Sequence, residues 1–166
     1  MSVKMNLMKV GPAGGKEKKG GVWDEKGKGE IAKIFVSDDK HAIQSLQFLF
    51  VKNGNFVLSK RHGDTAHDAN FATVVLDYPS EFLIGIKGTY YSNGLRSITF
   101  VTNKGTHGPY GGVKPMTVDR EIDFQIGNDR SFGGFHCLCQ KTYIESIGLY
   151  LEPITPSMIK PRKKTN

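Results

Sequence analysis

Apolar and polar residues alternate along much of this chain, and one alternating phrase occurs three times. It reads Ile43-Gln44-Ser45-Leu46-Gln47-Phe48, then Leu95-Arg96-Ser97-Ile98-Thr99-Phe100, then Ile144-Glu145-Ser146-Ile147-Gly148-Leu149. A period of two puts successive side chains on opposite faces of an extended backbone, so each copy predicts a half-buried β-strand. Leu46, Phe48 and Phe50 face one way in the first copy, Ile98 and Phe100 in the second, and Ile147, Leu149 and Leu151 in the third. Each copy follows another strand-like run, at residues 31–36, 82–88 and 133–139. The copies recur about every 50 residues, which predicts three similar β-units around an internal threefold axis. None of these units is large enough to bury its apolar face alone, so the three must share a core.

Further strands are predicted at residues 56–59, 72–76 and 122–126, with Asn53-Gly54 as a hairpin turn whose two central residues need positive φ. No segment keeps the helical period for more than a turn or two. Lys9-Val10 ends a first strand, and Gly11-Pro12-Ala13-Gly14-Gly15 opens a long glycine and lysine loop that runs to Gly20-Gly21. Gly108-Pro109-Tyr110-Gly111-Gly112 echoes that opening, and Ser131-Phe132-Gly133-Gly134 echoes it more faintly. These glycines predict close backbone approach at corners between sheets. Eleven or twelve short strands in three groups must resolve their sheet edges, by closing a barrel or by packing three sheets into a prism. The threefold repeat favours the prism.

Composition narrows the picture. With 166 residues, 38% of them hydrophobic, the chain predicts one domain with one sizeable core. No stretch approaches 18 apolar residues and no secretory leader opens the chain, so neither membrane insertion nor export is expected. The expected address is cytoplasmic, with nuclear entry as the alternative that a basic tail allows. Cys137 and Cys139 lie two apart on a strand, badly placed to bridge, and read as free thiols. The net charge of +7 invites a nucleic-acid reading, but its excess sits in two short runs, Lys16-Glu17-Lys18-Lys19 and Lys160-Pro161-Arg162-Lys163-Lys164. No stacking aromatics accompany those runs, so they read as solvated segments and a nucleic-acid partner is not expected.

Little in the chain points to catalysis. The Gly11–Lys16 region fails the phosphate-loop pattern, because its first glycine is displaced and Glu17 stands where a magnesium-binding hydroxyl belongs. His62-Gly63-Asp64-Thr65-Ala66-His67 lacks a second ligand cluster at zinc spacing and reads as a polar loop; His136 reads as a core histidine. No nucleophile elbow or local carboxylate pair is present, so no catalytic residue, metal or cofactor is expected. The loops suit a different chemistry. A shallow sugar pocket needs backbone N–H groups, a carboxylate that accepts from hydroxyls and an aromatic face. Gly20-Gly21, the hairpin Lys141-Thr142-Tyr143-Ile144-Glu145 and the turn Tyr90-Tyr91-Ser92-Asn93-Gly94 carry those parts.

Several motifs carry a family resemblance. Lys9-Val10-Gly11-Pro12 with Gly14-Gly15, Gly21-Val22-Trp23-Asp24-Glu25 and Asp77-Tyr78-Pro79-Ser80-Glu81-Phe82 resemble segments of jacalin-related plant lectins. So do Leu95 to Phe100, Gly108-Pro109-Tyr110-Gly111, Gly133-Gly134-Phe135-His136 and Ser146-Ile147-Gly148-Leu149-Tyr150-Leu151. The resemblance covers roughly residues 9–152 and is greatest to the crucifer branch with the myrosinase-binding proteins. It implies an all-β fold, the β-prism I, with three four-stranded Greek-key sheets in pseudo-threefold symmetry. The domain would span residues 9–153, between an extension at 1–8 and a basic tail at 154–166.

The resemblance also implies mannose-type glycans or glycoproteins as partners, a plant-defence role without catalysis, and self-association. The family's sugar site, carried onto this chain, takes Gly20 and Gly21 from the first loop. It takes Lys141, Thr142, Tyr143 and Glu145 from the segment before the last strand, and Tyr90 and Tyr91 as a second wall. Two positions depart from the family pattern. Glu145 stands where the family has aspartate, and Lys141 stands where it has glycine. The expectation is that Lys141 pairs with Glu145 and crowds the pocket. The competing reading is a lectin-fold protein-interaction module whose sugar pocket has decayed.

Overall fold

The computed structural model describes residues 6–15, 20–64, 69–112, 114, 116–117, 119–129 and 131–152. The two basic runs, most of the N-terminal extension, the whole tail and His67 lie outside the described residues. Among those described the fold is all-β. Its thirteen strands are β1 (Met8–Gly14), β2 (Gly21–Asp24), β3 (Glu30–Asp38), β4 (Ile43–Lys52), β5 (Asn55–Leu58), β6 (His62–Gly63), β7 (Asn70–Val75), β8 (Leu83–Tyr91), β9 (Gly94–Thr102), β10 (Gly105–Gly111), β11 (Arg120–Gln125), β12 (Phe132–Cys139) and β13 (Ile144–Leu151).

They form three antiparallel sheets, ordered β1-β13-β12-β2, β10-β9-β8-β11 and β5-β4-β3-β7, with the two-residue β6 also pairing with β4. Each sheet has the same plan. A central hairpin (β12–β13, β8–β9 or β3–β4) carries one strand on either side. The three repeated phrases are β13, β9 and β4, and these strands also touch one another across the interior. Leu46, Ile98 and Ile147 are fully buried there, as are Phe48, Phe50, Phe100 and Phe135. Each side chain of this size contributes about 1.5–3 kcal/mol by leaving water, so the shared interior supplies what no single sheet can. The three sheets thus form the β-prism.

The repeated serine has a structural role. Ser45, Ser97 and Ser146 are all buried. Ser45 hydrogen-bonds the Ser37 hydroxyl, Ser97 the Thr89 hydroxyl at 2.8 Å, and Ser146 accepts from the Leu138 N–H at 3.3 Å. In each case the partner is the residue directly opposite on the neighbouring strand of the central hairpin. A small hydroxyl satisfied across the hairpin is a polar group that can be buried without penalty.

The glycine-proline segments differ from expectation. Gly11 to Gly14 belongs to β1 and Gly108 to Gly111 to β10, rather than to loops. Both strands shift register at the proline, between Val10 and Ala13 and between His107 and Tyr110. Proline has no N–H for the ladder, and an edge-strand bulge is where a sheet tolerates it. The close backbone approach is present, at Gly14 against the Glu145 carbonyl and Gly111 against the Arg96 carbonyl. At these two it lies within a sheet, while the next glycine of each pair makes the expected approach between sheets: a Cβ at Gly15 would stand 2.9 Å from the Asn93 backbone and one at Gly112 2.7 Å from the His41 carbonyl.

One histidine holds a seam between sheets and another ties strands of a single sheet. His62 stacks on Trp23 at 3.8 Å and bonds Glu25 at 2.8 Å, joining β6 of one sheet to the β2 edge of another. His136 is buried, as the sequence predicts, yet it lies on the outer face of its sheet. Its Nε2 donates to the Val10 carbonyl at 2.9 Å.

Candidate functional site

At one end of the prism the chain brings together the β1–β2 loop, the β12–β13 turn and the β8–β9 turn. Gly15 closes the first contact by donating its N–H to the Glu145 carbonyl at 2.9 Å. A Cβ at Gly15 would lie 2.9–3.0 Å from the Ser92 and Asn93 backbone, so the β8–β9 turn presses directly on this loop. The Gln140 N–H donates to the Tyr143 carbonyl at 2.9 Å and tightens the β12–β13 turn. The Tyr143 ring lies against Gly94, where a Cβ would be 3.0 Å from the ring edge.

Glu145 sits at the centre of this arrangement and is fully buried. Its Oε2 accepts from the Gly20 N–H at 2.9 Å and from Gln140 Nε2 at 2.9 Å. Its Oε1 is buried with no hydrogen-bond partner among the described residues. An orphaned carboxylate oxygen is costly, because the group has given up water without a replacement donor. Gly20 must be glycine for this geometry. A Cβ there would stand 2.7 Å from the Cys139 carbonyl and 2.8 Å from Glu145 Oε2. Cys139 is half-buried beside it; Cys137 is buried, and that burial, with Cys139 and Glu145 nearby, pushes its thiol well above its ordinary value.

The eight residues expected at the site divide into three groups. Gly20 and Glu145 are joined by a hydrogen bond, with Tyr143 beside them against Gly94. Gly21, Lys141 and Thr142 are exposed on the flanking backbone, and Tyr91 is half-buried at the neighbouring turn. Tyr90 is a correction: it packs against the hydrophobic core rather than forming a wall of the pocket. The Lys141–Glu145 pair is also a correction. Among the described residues the side chain bonded to Glu145 is Gln140, one residue earlier, while Lys141 is exposed. At the tip of a tight turn a lysine keeps its ammonium in water, whereas Gln140 lies at the end of β12 and within reach of the carboxylate. Gln140 was missed because the family spacing starts at residue 141; no local pattern marks it.

Residues 10–150 match the model of the Jacalin-like lectin domain. The chain is 37% identical to the Inactive protein RESTRICTED TEV MOVEMENT 1 of Arabidopsis thaliana, over 89% of this chain and 88% of that one. It is 34% identical to Jacalin-related lectin 24 of Arabidopsis thaliana, over 89% of this chain and 68% of that one. Among solved structures, a mannose-specific jacalin-related lectin from Morus nigra in complex with mannose superposes with a TM-score of 0.73. That match is 26% identical and covers 92% of this chain and 98% of the other. The repeated phrase, the three-sheet prism and the family match over nearly the whole domain lead to one conclusion: this chain belongs to the jacalin-related lectins, a family of carbohydrate-binding proteins.

Proposed function

We propose that this protein is a mannose-type glycan-binding lectin that acts in plant defence by binding without catalysis. The orphaned Oε1 of Glu145 is the observation that carries the reading, since it is an acceptor at the site with no donor of its own. A sugar hydroxyl is the missing donor, and the backbone N–H groups of Thr142 and Tyr143 would donate back to the ring. The ligand reaches the carboxylate when the Gln140 side chain swings aside. Tyr143 offers the apolar wall for the C–H face of the sugar. The mannose-specific neighbour supports the sugar class; the defence role is carried over from the family resemblance. A cytoplasmic address goes with this reading.

A second reading rests on a specific observation. Full burial of Glu145, with the Gly20 N–H already consumed, suits a pocket closed to sugar and a chain that works as a protein-interaction module. A glycan array followed by calorimetry separates the two. Under the lectin reading, mannose-rich oligosaccharides bind the wild type, and Glu145→Gln weakens them by about 1.5–3 kcal/mol, the range for a hydrogen bond to a charged group. Absence of binding to any glycan on the array leaves the interaction module as the function.

A further inference from the structure

Each sheet of the prism carries its own copy of the backbone around Glu145. In all three a glycine stands opposite the serine of the repeated phrase: Gly14 opposite Ser146, Gly111 opposite Ser97 and Gly63 opposite Ser45. The Gly15 N–H donates to the Glu145 carbonyl at 2.9 Å, and the Gly112 N–H donates to the Arg96 carbonyl at 2.9 Å. A turn of the next sheet presses on both copies, Ser92-Asn93 on Gly15 and His41 on Gly112. The residue before the serine sets the copies apart: it is Glu145 in the first, Arg96 in the second and Gln44 in the third. Between the first two the backbone is kept and the charge is inverted.

The Arg96 copy opens into a hollow of about 540 Å³, lined by Lys40, His41, Arg96, Lys114 and Met116 together with Gly111 and Gly112. The lining holds three fixed cations and no carboxylate. Arg96 is held in place: its Nε faces Asp119 Oδ2 at 3.0 Å, and its Nη2 donates to the Lys114 carbonyl at 3.1 Å. That leaves Nη1 for a ligand. Asp119 offsets the charge of Arg96, so the excess rests on Lys40 and Lys114. Both are exposed, and among the described residues neither ammonium has an ion-pair partner. The neighbouring carboxylates of Asp38 and Asp39 are committed to their own turn, accepting from the N–H groups of Lys40, His41 and Ala42 at 2.8–2.9 Å. Gly112 leaves room for the arginine, because a Cβ there would stand 2.9 Å from Arg96 Cγ and 3.0 Å from its Cζ. Lys40 has a φ of 71°, a conformation in which glycine is the ordinary residue, so the turn itself does not call for lysine. Cations gathered around one concavity repel one another and favour an anion between them.

We infer that this hollow is a second binding site, for a sugar that bears an oxyanion, with its carboxylate or phosphate among Lys40, Arg96 and Lys114. A guanidinium fork and two ammonium groups suit either anion. A bare ion would leave most of the hollow empty, whereas its volume falls within the range of small-molecule clefts, about 300–1,000 Å³. Met116 and the lysine stems offer apolar surface to the C–H groups of a sugar ring. The anionic half of the inference stands on the cations alone; the sugar half rests on the lectin reading, since it is carried over from the Glu145 copy. The two sites belong to different sheets and can be filled independently.

Nitrogen–proton correlation spectra of the labelled full chain test it, in titrations with methyl glucuronoside, glucose 6-phosphate, methyl glucoside and inorganic phosphate. At least one acidic sugar should shift the amides of Lys40, His41 and Gly112 with a dissociation constant of about 0.1–1 mM at low salt; the tighter of the two names the anion. At those amides methyl glucoside, the same ring without charge, and inorganic phosphate, the charge without a ring, should each bind at least about tenfold more weakly. Lys40→Gln with Lys114→Gln alters two exposed side chains and should weaken the acidic sugar at least about fivefold. Lys163→Gln with Lys164→Gln removes the same charge from the tail and should change it by less than about twofold. Thermal melts check that both variants fold. The inference is overturned if neither acidic sugar shifts these amides, if inorganic phosphate binds there as tightly, or if the tail variant weakens binding as much as the pocket variant. Methyl mannoside read at Gly20 in the same samples reports on the Glu145 site, so a failure of the lectin reading there is seen separately.

Discussion

Gln140→Ala probes the site at its most unusual point. Gln140 Nε2 donates to Glu145 Oε2 at 2.9 Å, and with the Gly20 N–H it holds the carboxylate inward. A hydrogen bond to a charged group contributes about 1.5–3 kcal/mol when its loss leaves that group unsatisfied. Gln140 is only half-buried, so water enters when its side chain is removed and the loss falls to about 1 kcal/mol. The melting temperature should drop by about 2–4 °C, as expected for a domain of this size. Binding should move the other way. A ligand hydroxyl no longer has to displace the amide, so the same 1 kcal/mol or so appears as roughly fivefold tighter binding of mannose. Titration calorimetry with methyl mannoside and a mannotriose, beside a thermal melt, measures both. Weaker binding by Gln140→Ala would show that Gln140 positions Glu145 rather than competing with the sugar, and would refute this reasoning.

Three further outcomes are expected. Gly148→Ala should cost about 2–4 kcal/mol by overpacking and by loss of the His136–Val10 hydrogen bond, because its Cβ would fall 2.3 Å from His136 Cε1 and 2.5 Å from the Val10 carbonyl oxygen; chemical denaturation measures this. Burial holds the imidazoles of His62 and His136 below the ordinary histidine value, against smaller opposing pulls from Glu25 and the Val10 carbonyl. The unfolded chain therefore takes up protons first, so thermal stability should be flat above about pH 6.5 and fall as pH is lowered from there. Finally, a thiol reagent in native buffer should modify half-buried Cys139 well before buried Cys137, whose thiol burial keeps protonated; equal rates in a kinetic thiol assay would contradict that.

What the chain's pattern made legible was the part repeated three times. Alternation over each phrase identified β4, β9 and β13, and the run before each identified its hairpin partner. The equal spacing implied a shared core in which Leu46, Ile98 and Ile147 are buried. The edge strands were harder to read. Gly11-Pro12 and Gly108-Pro109 have the composition of turns, yet they are bulges in strands whose outer side needs no N–H donor. β2 and β6 are too short for any periodicity, with Trp23 the only buried residue of the first. At the site, family spacing located Gly20 and Glu145, 125 residues apart in sequence and 2.9 Å apart in space. It did not reveal which neighbour holds the carboxylate, because Gln140 and Lys141 are adjacent in the chain. Strand geometry, not residue type, decides that the amide turns in and the ammonium stays in water. Two outward phenylalanines of the β3–β4 sheet were hidden for a related reason. Phe56 and Phe71 look like core residues in a sequence, and only the register turns them outward.

Under the lectin proposal, a mannose-type sugar binds where the Gly20 N–H meets the Glu145 carboxylate. A titration of the isotopically labelled protein with methyl mannoside, followed amide by amide in nitrogen–proton correlation spectra, tests it most directly. Saturable shifts should appear at Gly20, Thr142, Tyr143 and the Ser92–Asn93 turn, and should disappear in Glu145→Gln. A spectrum that does not change at saturating sugar, or one whose shifts gather on a different part of the prism, would contradict the claim.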